Sequence, residues 1–125
     1  MSIITIRPPS PEELVAYAAQ KRWEAEVGGI TVNGLCVHTD DRSKIMVIGA
    51  RNAAQVNPNF TTEWKAVDGT FVTLDAAAII AVSDAVLTHV SRCFEVEASV
   101  LAGIGGGAIT SREQIDSAFL AIASP

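Results

Sequence analysis

Cysteine, charge and long apolar runs are all scarce in this chain of 125 residues. The two cysteines, Cys36 and Cys93, form neither a C-x-x-C motif nor a dense framework, which excludes a small domain held together by disulfides and favours a reduced, cytosolic protein. Charged residues make up 18% of the chain, nine Lys+Arg against 14 Asp+Glu, and no basic cluster occurs. The net charge of −5 therefore argues against binding to nucleic acid or to an anionic membrane surface.

No apolar stretch approaches the about 18 residues of a transmembrane helix, and the N-terminus lacks the basic and apolar regions of a secretory signal. Hydrophobic residues nevertheless make up 49% of the chain, which excludes intrinsic disorder and supplies the core of one domain. We therefore expect an N-terminal arm at residues 1–9, a single domain at 10–125, and no nucleic-acid or membrane partner.

The pattern after the arm predicts a helix from residue 11 to about residue 27. Ser10 can cap this helix, Pro11 suits its first position, and Glu13 completes a capping box. Gly28-Gly29 ends it, because glycine adopts the left-handed conformation at low cost. The apolar side chains expected on its buried side are Leu14, Tyr17, Ala18 and Trp23.

Two short segments predict β-hairpins. Asn33-Gly34 is a favoured two-residue turn within residues 30–38, and Asp68-Gly69 is the expected turn within residues 60–74. The register of the first hairpin pairs Ile30 with Val37 and Val32 with Leu35 on one face. The side chains expected on its opposite face are Thr31, Cys36 and His38.

Two further helices are predicted between and after the hairpins. Thr39-Asp40-Asp41 would cap a helix over residues 42–56, and Asp75 would cap a long helix over residues 76–102. The buried face expected for the shorter helix consists of Ile45, Ile48, Gly49, Ala53 and Val56. The stripe expected for the long helix consists of Ile79, Val82, Val86, Val90, Cys93, Val100 and Ile104, with Ile80, Leu87, Phe94 and Leu101 on an adjacent stripe.

The C-terminal part predicts a short last helix after a break. The glycine-rich segment 103–107 is expected to end the long helix and to form a flexible joint. Thr110 and Glu113 would then cap a helix that runs to about residue 123. The resulting order is helix, hairpin, helix, hairpin, long helix, short helix, which is an α+β fold with a small antiparallel sheet packed on helices. Whether the two hairpins join into one sheet stays open at this point.

A metal site is the most specific chemical hypothesis that the residues allow. Cys36 and His38 lie two apart on a predicted strand, and His89 and Cys93 lie four apart on a predicted helix, so each pair shares a face. These are the ligand types of a tetrahedral zinc site, although their spacing matches no zinc-finger pattern. We therefore predict no metal and no cofactor, and keep a small metal-binding domain as a remote alternative.

Enzymatic motifs are missing from the sequence. It contains no nucleophile elbow and no H-E-x-x-H motif, and its glycine run follows a helix instead of a strand, which does not fit a dinucleotide-binding loop. The two tryptophans, Trp23 and Trp64, are expected to be core anchors. We therefore expect that the protein is not an enzyme and that it has no catalytic residues.

Most of the chain resembles a known family. The resemblance spans roughly residues 12–120, and its most specific parts are a Trp-Glu-x-Glu-x-Gly-Gly block and a Trp-Lys-x-x-Asp-Gly hairpin. The segments that carry it are 22–34, 39–44, 64–76, 88–90 and 93–94. They are similar to a tail-associated family of bacteriophages and prophages that carries a domain of unknown function and whose members are often described as tail-fibre or tail-fibre assembly proteins. The structural motif residues within these segments are Trp23, Gly28, Gly29, Asn33, Gly34, Trp64, Asp68, Gly69 and Asp75.

This resemblance implies a non-enzymatic tail protein that works through protein–protein contacts. One hypothesis is an assembly chaperone for a tail fibre, present in the host cytoplasm during assembly. The alternative is a permanent connector in the virion tail or baseplate, in which an N-terminal arm adds a strand to a neighbouring sheet. The implied partner is a tail-fibre or baseplate protein.

The sequence also predicts self-association. The long helix carries two neighbouring apolar stripes, which is more than one small hairpin can cover, so the helix is either central or part of a homo-oligomer. The residues expected to contact other proteins are Ile3, Ile4 and Ile6 in the arm and Leu87, Phe94 and Leu101 on the long helix.

Overall fold

The computed structural model describes residues 7–123, and it confirms the predicted element order. The fold is α+β, with four helices and two small antiparallel sheets in these residues. The expected arm residues Ile3, Ile4 and Ile6 lie outside the described part of the chain. The elements are α1 (Pro11–Glu26), β1 (Ile30–Val32), β2 (Leu35–Val37), α2 (Asp41–Val56), β3 (Thr61–Lys65), β4 (Phe71–Asp75), α3 (Ala76–Gly105) and α4 (Arg112–Ala123).

Two of the predicted helix starts are formed as expected. The Ser10 hydroxyl accepts from the Glu13 amide at 3.2 Å, and the Glu13 carboxylate accepts from the Ser10 amide, so the capping box is complete. The Asp75 carboxylate accepts from the amide of Ala78 at 2.8 Å at the start of α3. Thr39 does not cap α2. Asp40, which belongs to the same predicted capping segment, takes the N-cap position, and Thr39 is buried.

The two hairpins form separate two-stranded sheets, which answers the question that the sequence left open. The predicted register of β1 and β2 is confirmed, with Ile30 opposite Val37 and Val32 opposite Leu35. Asn33 and Gly34 both have positive φ, as a two-residue turn of this kind requires. One backbone hydrogen bond links the hairpins, from the Val67 amide to the Cys36 carbonyl at 3.2 Å.

Helix α3 is central, and it divides the interior into two apolar clusters. The first cluster joins α2, both hairpins and the N-terminal half of α3. The second joins α1, α4 and the C-terminal half of α3. The first contains Val37, Val47, Ala54, Leu74, Ala76, Ile79, Val82 and Val86; the second contains Leu14, Ala18, Val100, Ile104, Ile115 and Phe119. The predicted inner stripe of α3 is therefore confirmed.

The end of α3 differs from the expected flexible joint. The helix continues through Gly103 to Gly105, and the turn after it is closed by the amides of Ala108 and Ile109, which both donate to the Gly103 carbonyl. Helix α4 begins one residue later than predicted, because Ser111 caps it together with Gln114 instead of Thr110 with Glu113. Since Ile115 and Phe119 are buried, α4 is a packed part of the second cluster.

Two predictions about burial are wrong. The face of α2 that meets α3 consists of Val47, Ala50 and Ala54, whereas the predicted face of Ile45, Ile48 and Val56 points to solvent. Trp23 is also not a core anchor, because it is 51% exposed. Trp64 does pack partly against the first cluster, as expected.

Helix α3 is long and apolar enough to cross a membrane when length and composition alone are considered. Its most apolar 18-residue window has a mean hydropathy of 1.4, and 22% of that window is buried. Central helices of globular folds meet the same criterion. Because residues from Ile79 to Ile104 on α3 contribute to both apolar clusters, we interpret it as the central helix of this fold.

A polar junction lies between the two apolar clusters, where α1 ends. Glu26 is only 8% exposed, and its carboxylate accepts from Arg22 at 2.7 Å and from the ammonium group of Lys44. Arg22 also donates to Glu97 on α3 at 2.9 Å. The hydroxyl of buried Thr39 donates to the Glu26 carbonyl at 2.6 Å and accepts from the Gly29 amide at 2.9 Å. The junction therefore connects α1, α2 and α3 at one point.

The charges in this junction stabilise one another. Burial alone would raise the pKa of the Glu26 carboxyl, but hydrogen bonds from Lys44 and Arg22 outweigh it and hold that pKa below its ordinary value. Burial likewise opposes the charged form of Lys44, yet its contacts with Glu26 and Asp41 raise its pKa above the ordinary value. Glu26 and Lys44 are therefore ionised at neutral pH, as is Arg22, whose pKa is raised by its hydrogen bond to Glu97.

Replacing Glu26 by Gln is expected to destabilise the fold by about 2 kcal/mol. Removing one partner of a fully buried pair costs about 3–5 kcal/mol, and we expect less because the Arg22 and Lys44 side chains are 20% and 18% exposed. Glu24→Gln is the matched control, since Glu24 is exposed on the same turn. Urea unfolding followed by circular dichroism measures both, and an equal effect of the two substitutions would contradict the junction.

The pH dependence gives a second readout of the same substitution. Because the folded-state pKa of Glu26 lies below the unfolded value of about 4.3, its stabilisation is fully present above that pH and is lost as the pH falls through the folded pKa. The stability difference between wild type and Glu26→Gln should therefore shrink in acid. A difference that stays constant from pH 7 to pH 3 would be inconsistent with an ionised Glu26.

Two glycines near the end of α3 are expected to respond to alanine in opposite ways. A Cβ at Gly103 would lie 2.8 Å from Cδ1 of Ile109, so Gly103→Ala forces that side chain to move and should cost about 1 kcal/mol or more. A Cβ at Gly105 meets no atom within 4 Å, so Gly105→Ala should be stabilising, by less than the about 0.5–1 kcal/mol of a mid-helix position because Gly105 is the last residue of α3. Thermal unfolding measures both, and a stabilising Gly103→Ala would refute the packed turn.

Candidate protein-interaction surface

Among the helices of residues 7–123, α2 exposes the most large apolar side chains, and most of them lie on its solvent face. Ile45, Ile48 and Val56 are 70%, 57% and 86% exposed, and Gly49 lies between them. With Asn52 they follow one side of the helix at intervals of three and four residues. We call this set the α2 stripe: Ile45, Ile48, Gly49, Asn52 and Val56.

The middle of the α2 stripe carries no charge, because Lys44 and Arg51 pair with carboxylates of other elements, whereas Asp41 and Arg42 at the start of the helix are exposed. Lys44 and Arg51 are seven residues apart and therefore share a side of the helix. Lys44 reaches Glu26 in the polar junction, and Arg51 pairs with Asp84 of α3 at 2.6 Å. Residues 45–56 contain no other charged side chain. Depletion of charge is typical of the centre of protein interfaces.

A groove lies beside the stripe, between the first half of α2 and the β3–β4 hairpin. It encloses about 730 Å³, and Met46, Trp64, Val67 and Phe71 supply its apolar lining. Phe71 is 64% exposed and Met46 is 54% exposed, so both side chains are accessible. The charged side chains around this hairpin groove are Asp40, Arg42, Glu63, Lys65 and Asp68.

The rim of the hairpin groove is held by the turn at its tip. The Thr70 hydroxyl and amide both donate to the Asp68 carboxylate, at 2.7 and 3.0 Å. These bonds lower the pKa of Asp68, so the carboxylate stays ionised. Gly69 has φ of 89°, which only glycine adopts without strain. The groove therefore combines an apolar floor with a rim that carries both signs of charge.

The residues predicted on α3 have mixed positions. Leu87 is 66% exposed, and Phe94 is 46% exposed with the guanidinium of Arg22 stacked 4.5 Å from its ring centre. Leu101 is half-buried against the second cluster. The three side chains thus do not form one open surface, and Phe94 already has an intramolecular contact.

The four candidate metal ligands are not brought together. Cys36 and His38 are exposed on the first hairpin, whereas Cys93 is buried against α1 and lies 3.8 Å from Nε2 of His89. Burial raises the pKa of the Cys93 thiol, which disfavours the thiolate that a metal needs. The described residues contain no group of three or more His, Cys, Asp or Glu arranged to hold a metal ion.

A second hollow of about 630 Å³ lies where α1 ends beside α3. Glu24 and His89 are the titratable residues that line it, and the Nε2–H of His89 donates to the Ala25 carbonyl at 2.8 Å. The imidazole thus satisfies a carbonyl in the last turn of α1. In residues 7–122 every buried side-chain nitrogen or oxygen has a hydrogen-bond partner.

Comparison with known proteins yields a family without a known activity. The family model described as a domain of unknown function, DUF4376, matches residues 9–123, which include all four helices and both hairpins. No curated protein and no solved structure matches the chain. The chain therefore belongs to the DUF4376 family.

Proposed function

We propose that this DUF4376 protein is a non-enzymatic phage or prophage tail protein that acts in tail-fibre assembly or attachment by binding other proteins. The observation that carries the proposal is the contrast between its interior and its surface. In the described residues every buried polar side-chain atom has a hydrogen-bond partner, whereas α2 and the neighbouring hairpin expose large apolar side chains. Exposed apolar patches of this kind mark interaction sites.

The assignment to a tail rests on the resemblance of the Trp-Glu-x-Glu-x-Gly-Gly and Trp-Lys-x-x-Asp-Gly blocks described above. Both blocks contribute to the features that shape the surface. Glu26 and Gly29 belong to the polar junction that fixes α2, and Trp64 and Asp68 line the hairpin groove. The partner that we propose is an apolar segment of a tail-fibre or baseplate protein, bound in the hairpin groove.

The chemistry of the groove supports this choice of partner. Its rim carries two basic and three acidic side chains, whereas the whole chain has a net charge of −5. An uncharged apolar segment would cover Phe71 and Met46 without bringing a charge of its own onto the apolar lining. Each such side chain contributes about 1–2 kcal/mol when its exposed part is covered.

A charge at the floor of the groove is expected to abolish binding. In co-expression with the tail-fibre protein of the same phage or prophage, Phe71→Glu should reduce the recovered fibre protein at least tenfold. Leu120→Glu is the matched control, because Leu120 is 67% exposed on α4, in the other half of the molecule. Equal recovery with both variants, or no fibre protein with the wild type, would overturn the proposal.

A permanent connector is the second candidate, and the free strand edges favour it. Each sheet in the described residues has two strands and no further strand pairs with its outer edges, although the Cys36 carbonyl of β2 already accepts from the Val67 amide. Proteomics of purified virions separates the candidates, since a connector is stoichiometric and a chaperone is absent or nearly so. Deleting residues 1–6 keeps the exposed Arg7–Glu13 pair and should block incorporation if the arm adds a strand. Normal incorporation of the truncated chain would exclude that role.

A further inference from the structure

We infer that the hairpin groove holds its partner as an extended strand that adds to the outer edge of β3. The groove borders this edge, because three consecutive residues of β3 line it: Glu63, Trp64 and Lys65. Of β4, Phe71 alone lines the groove in the described part of the chain, and the facing wall comes from the first half of α2. The inference rests on the proposed function, and it specifies the backbone conformation of the tail-fibre segment that the groove binds.

The hydrogen-bond pattern of the β3–β4 hairpin determines which backbone groups point to the groove. The Ala66 amide donates to the Thr70 carbonyl at 2.8 Å, so these two residues form a hydrogen-bonded pair next to the turn. In an antiparallel ladder such pairs alternate with pairs whose amides and carbonyls point away from each other. Counted back along β3, Trp64 therefore bonds to β4, whereas Glu63 and Lys65 direct their backbone groups outward.

Two contacts agree with this alternation. The Val67 amide, two positions after Lys65, also points outward, and it donates to the Cys36 carbonyl of β2 at 3.2 Å. The Thr73 hydroxyl donates to the Glu63 carboxylate across the ladder, which fits a non-hydrogen-bonded pair because its side chains lie closest together. The fold thus already uses the outer side of this segment at Val67, and in residues 7–123 no strand pairs with it at Glu63 and Lys65.

The edge and the lining together specify the side-chain pattern of the bound segment. A guest residue opposite Trp64 points to the same face of the sheet as Trp64, which is the face that packs on α2 and has Met46 beside it in the groove. That position therefore requires an apolar side chain. The guest residues before and after it point to the other face, next to the opposite charges of Glu63 and Lys65, where polar side chains are compatible.

An extended segment matches both features of the groove, whereas a helix matches one. The backbone groups of a helix are bonded internally, so a helix would cover the apolar lining and leave the outward amides and carbonyls of β3 to water. A strand bonds to these groups and also places alternate side chains on the lining, which is how strand addition combines affinity with specificity. Because β3 has five residues, its edge is about 14 Å long, which is the length of a segment of about five residues.

Peptide binding to the full chain tests the strand addition. The probes are overlapping fluorescent peptides that cover the tail-fibre protein of the same phage or prophage, with fluorescence anisotropy as the readout. At least one peptide should bind, and its backbone amides are then methylated one at a time. Methylation should weaken binding about tenfold at every second residue only, because alternate amides of an added strand face β3. Uniform effects along the peptide, or none, would overturn the inference.

Glu63→Pro and Thr73→Pro are a matched pair of variants. Each removes one outward amide and the Glu63–Thr73 side-chain hydrogen bond but no ladder bond, and only Glu63 lies on the groove. Glu63→Pro should weaken peptide binding about tenfold, whereas Thr73→Pro and Glu63→Ala, which keeps the amide, should bind like wild type. An equal loss in Glu63→Ala or in Thr73→Pro would contradict strand addition at β3. Circular dichroism shows whether each variant is folded, and the methylation scan decides if Glu63→Pro is not.

The outcomes separate this inference from the proposed function. If co-expression recovers the fibre protein but no fibre peptide binds, the partner is not an extended segment, and the inference fails while the proposed function stands. If neither the fibre protein nor any of its peptides binds, both fail. A synthetic peptide of residues 1–9 of this chain tests the other occupant. If it binds more tightly than every fibre peptide and Glu63→Pro abolishes its binding, the edge pairs copies of this chain, and the fibre segment is excluded as the occupant.

Discussion

The ion pairs of Glu26 connect α1 to α2 between the two apolar clusters. The two apolar clusters share α3, but α1 belongs to one and α2 to the other. Arg22, Lys44 and Glu97 converge on or near the Glu26 carboxylate, and Thr39 ties the end of α1 to the chain just before α2. A buried carboxylate is stable only with such partners. The junction therefore fixes α1, which belongs to one apolar cluster, relative to α2, which belongs to the other.

The same junction explains the surface of the molecule. Lys44 must face Glu26, and Arg51, two turns further along α2, must face Asp84. Together with the burial of Val47 and Ala54, these two contacts orient α2 about its axis. Ile45 and Val56 lie away from the buried side and are directed to solvent, and Ile48, which lies between Lys44 and Arg51, is 57% exposed. Packing and ion pairs together thus leave these apolar side chains exposed.

Local signals in the sequence predicted most of the fold. Ser10 with Glu13, Asn33-Gly34, Asp68-Gly69 and Asp75 each act within a few residues, so their outcomes follow from local chemistry. The burial of α2 could not be predicted in this way. Its sequence has two apolar faces, and the choice between them depends on contacts with distant residues, which include the apolar cluster with α3 and the partners of Lys44 and Arg51 that are 18 and 33 residues away. The inward-facing cations were the available signal, but it can be interpreted only once Glu26 and Asp84 are located.

Because the exposed side chains differ from those predicted, the candidate binding surface moves from α3 to α2 and the β3–β4 hairpin. The residues expected to bind on α3 are partly occupied, since Phe94 stacks with Arg22 and Leu101 packs on the second cluster. The surface that remains combines α2 with the β3–β4 hairpin, and its exposed side chains Ile45, Ile48 and Val56 were predicted to be buried. A prediction from periodicity finds apolar faces, whereas tertiary contacts decide which of them stay exposed.

Native-state hydrogen exchange tests most directly whether the junction couples the two halves. The account predicts that the most protected amides of α1 and of α2 have the same opening free energy in the wild type and lose protection together as denaturant is added. Two separate opening free energies, one for α1 with α4 and another for α2 with the hairpins, would contradict it. The halves would then be independent units that merely share α3.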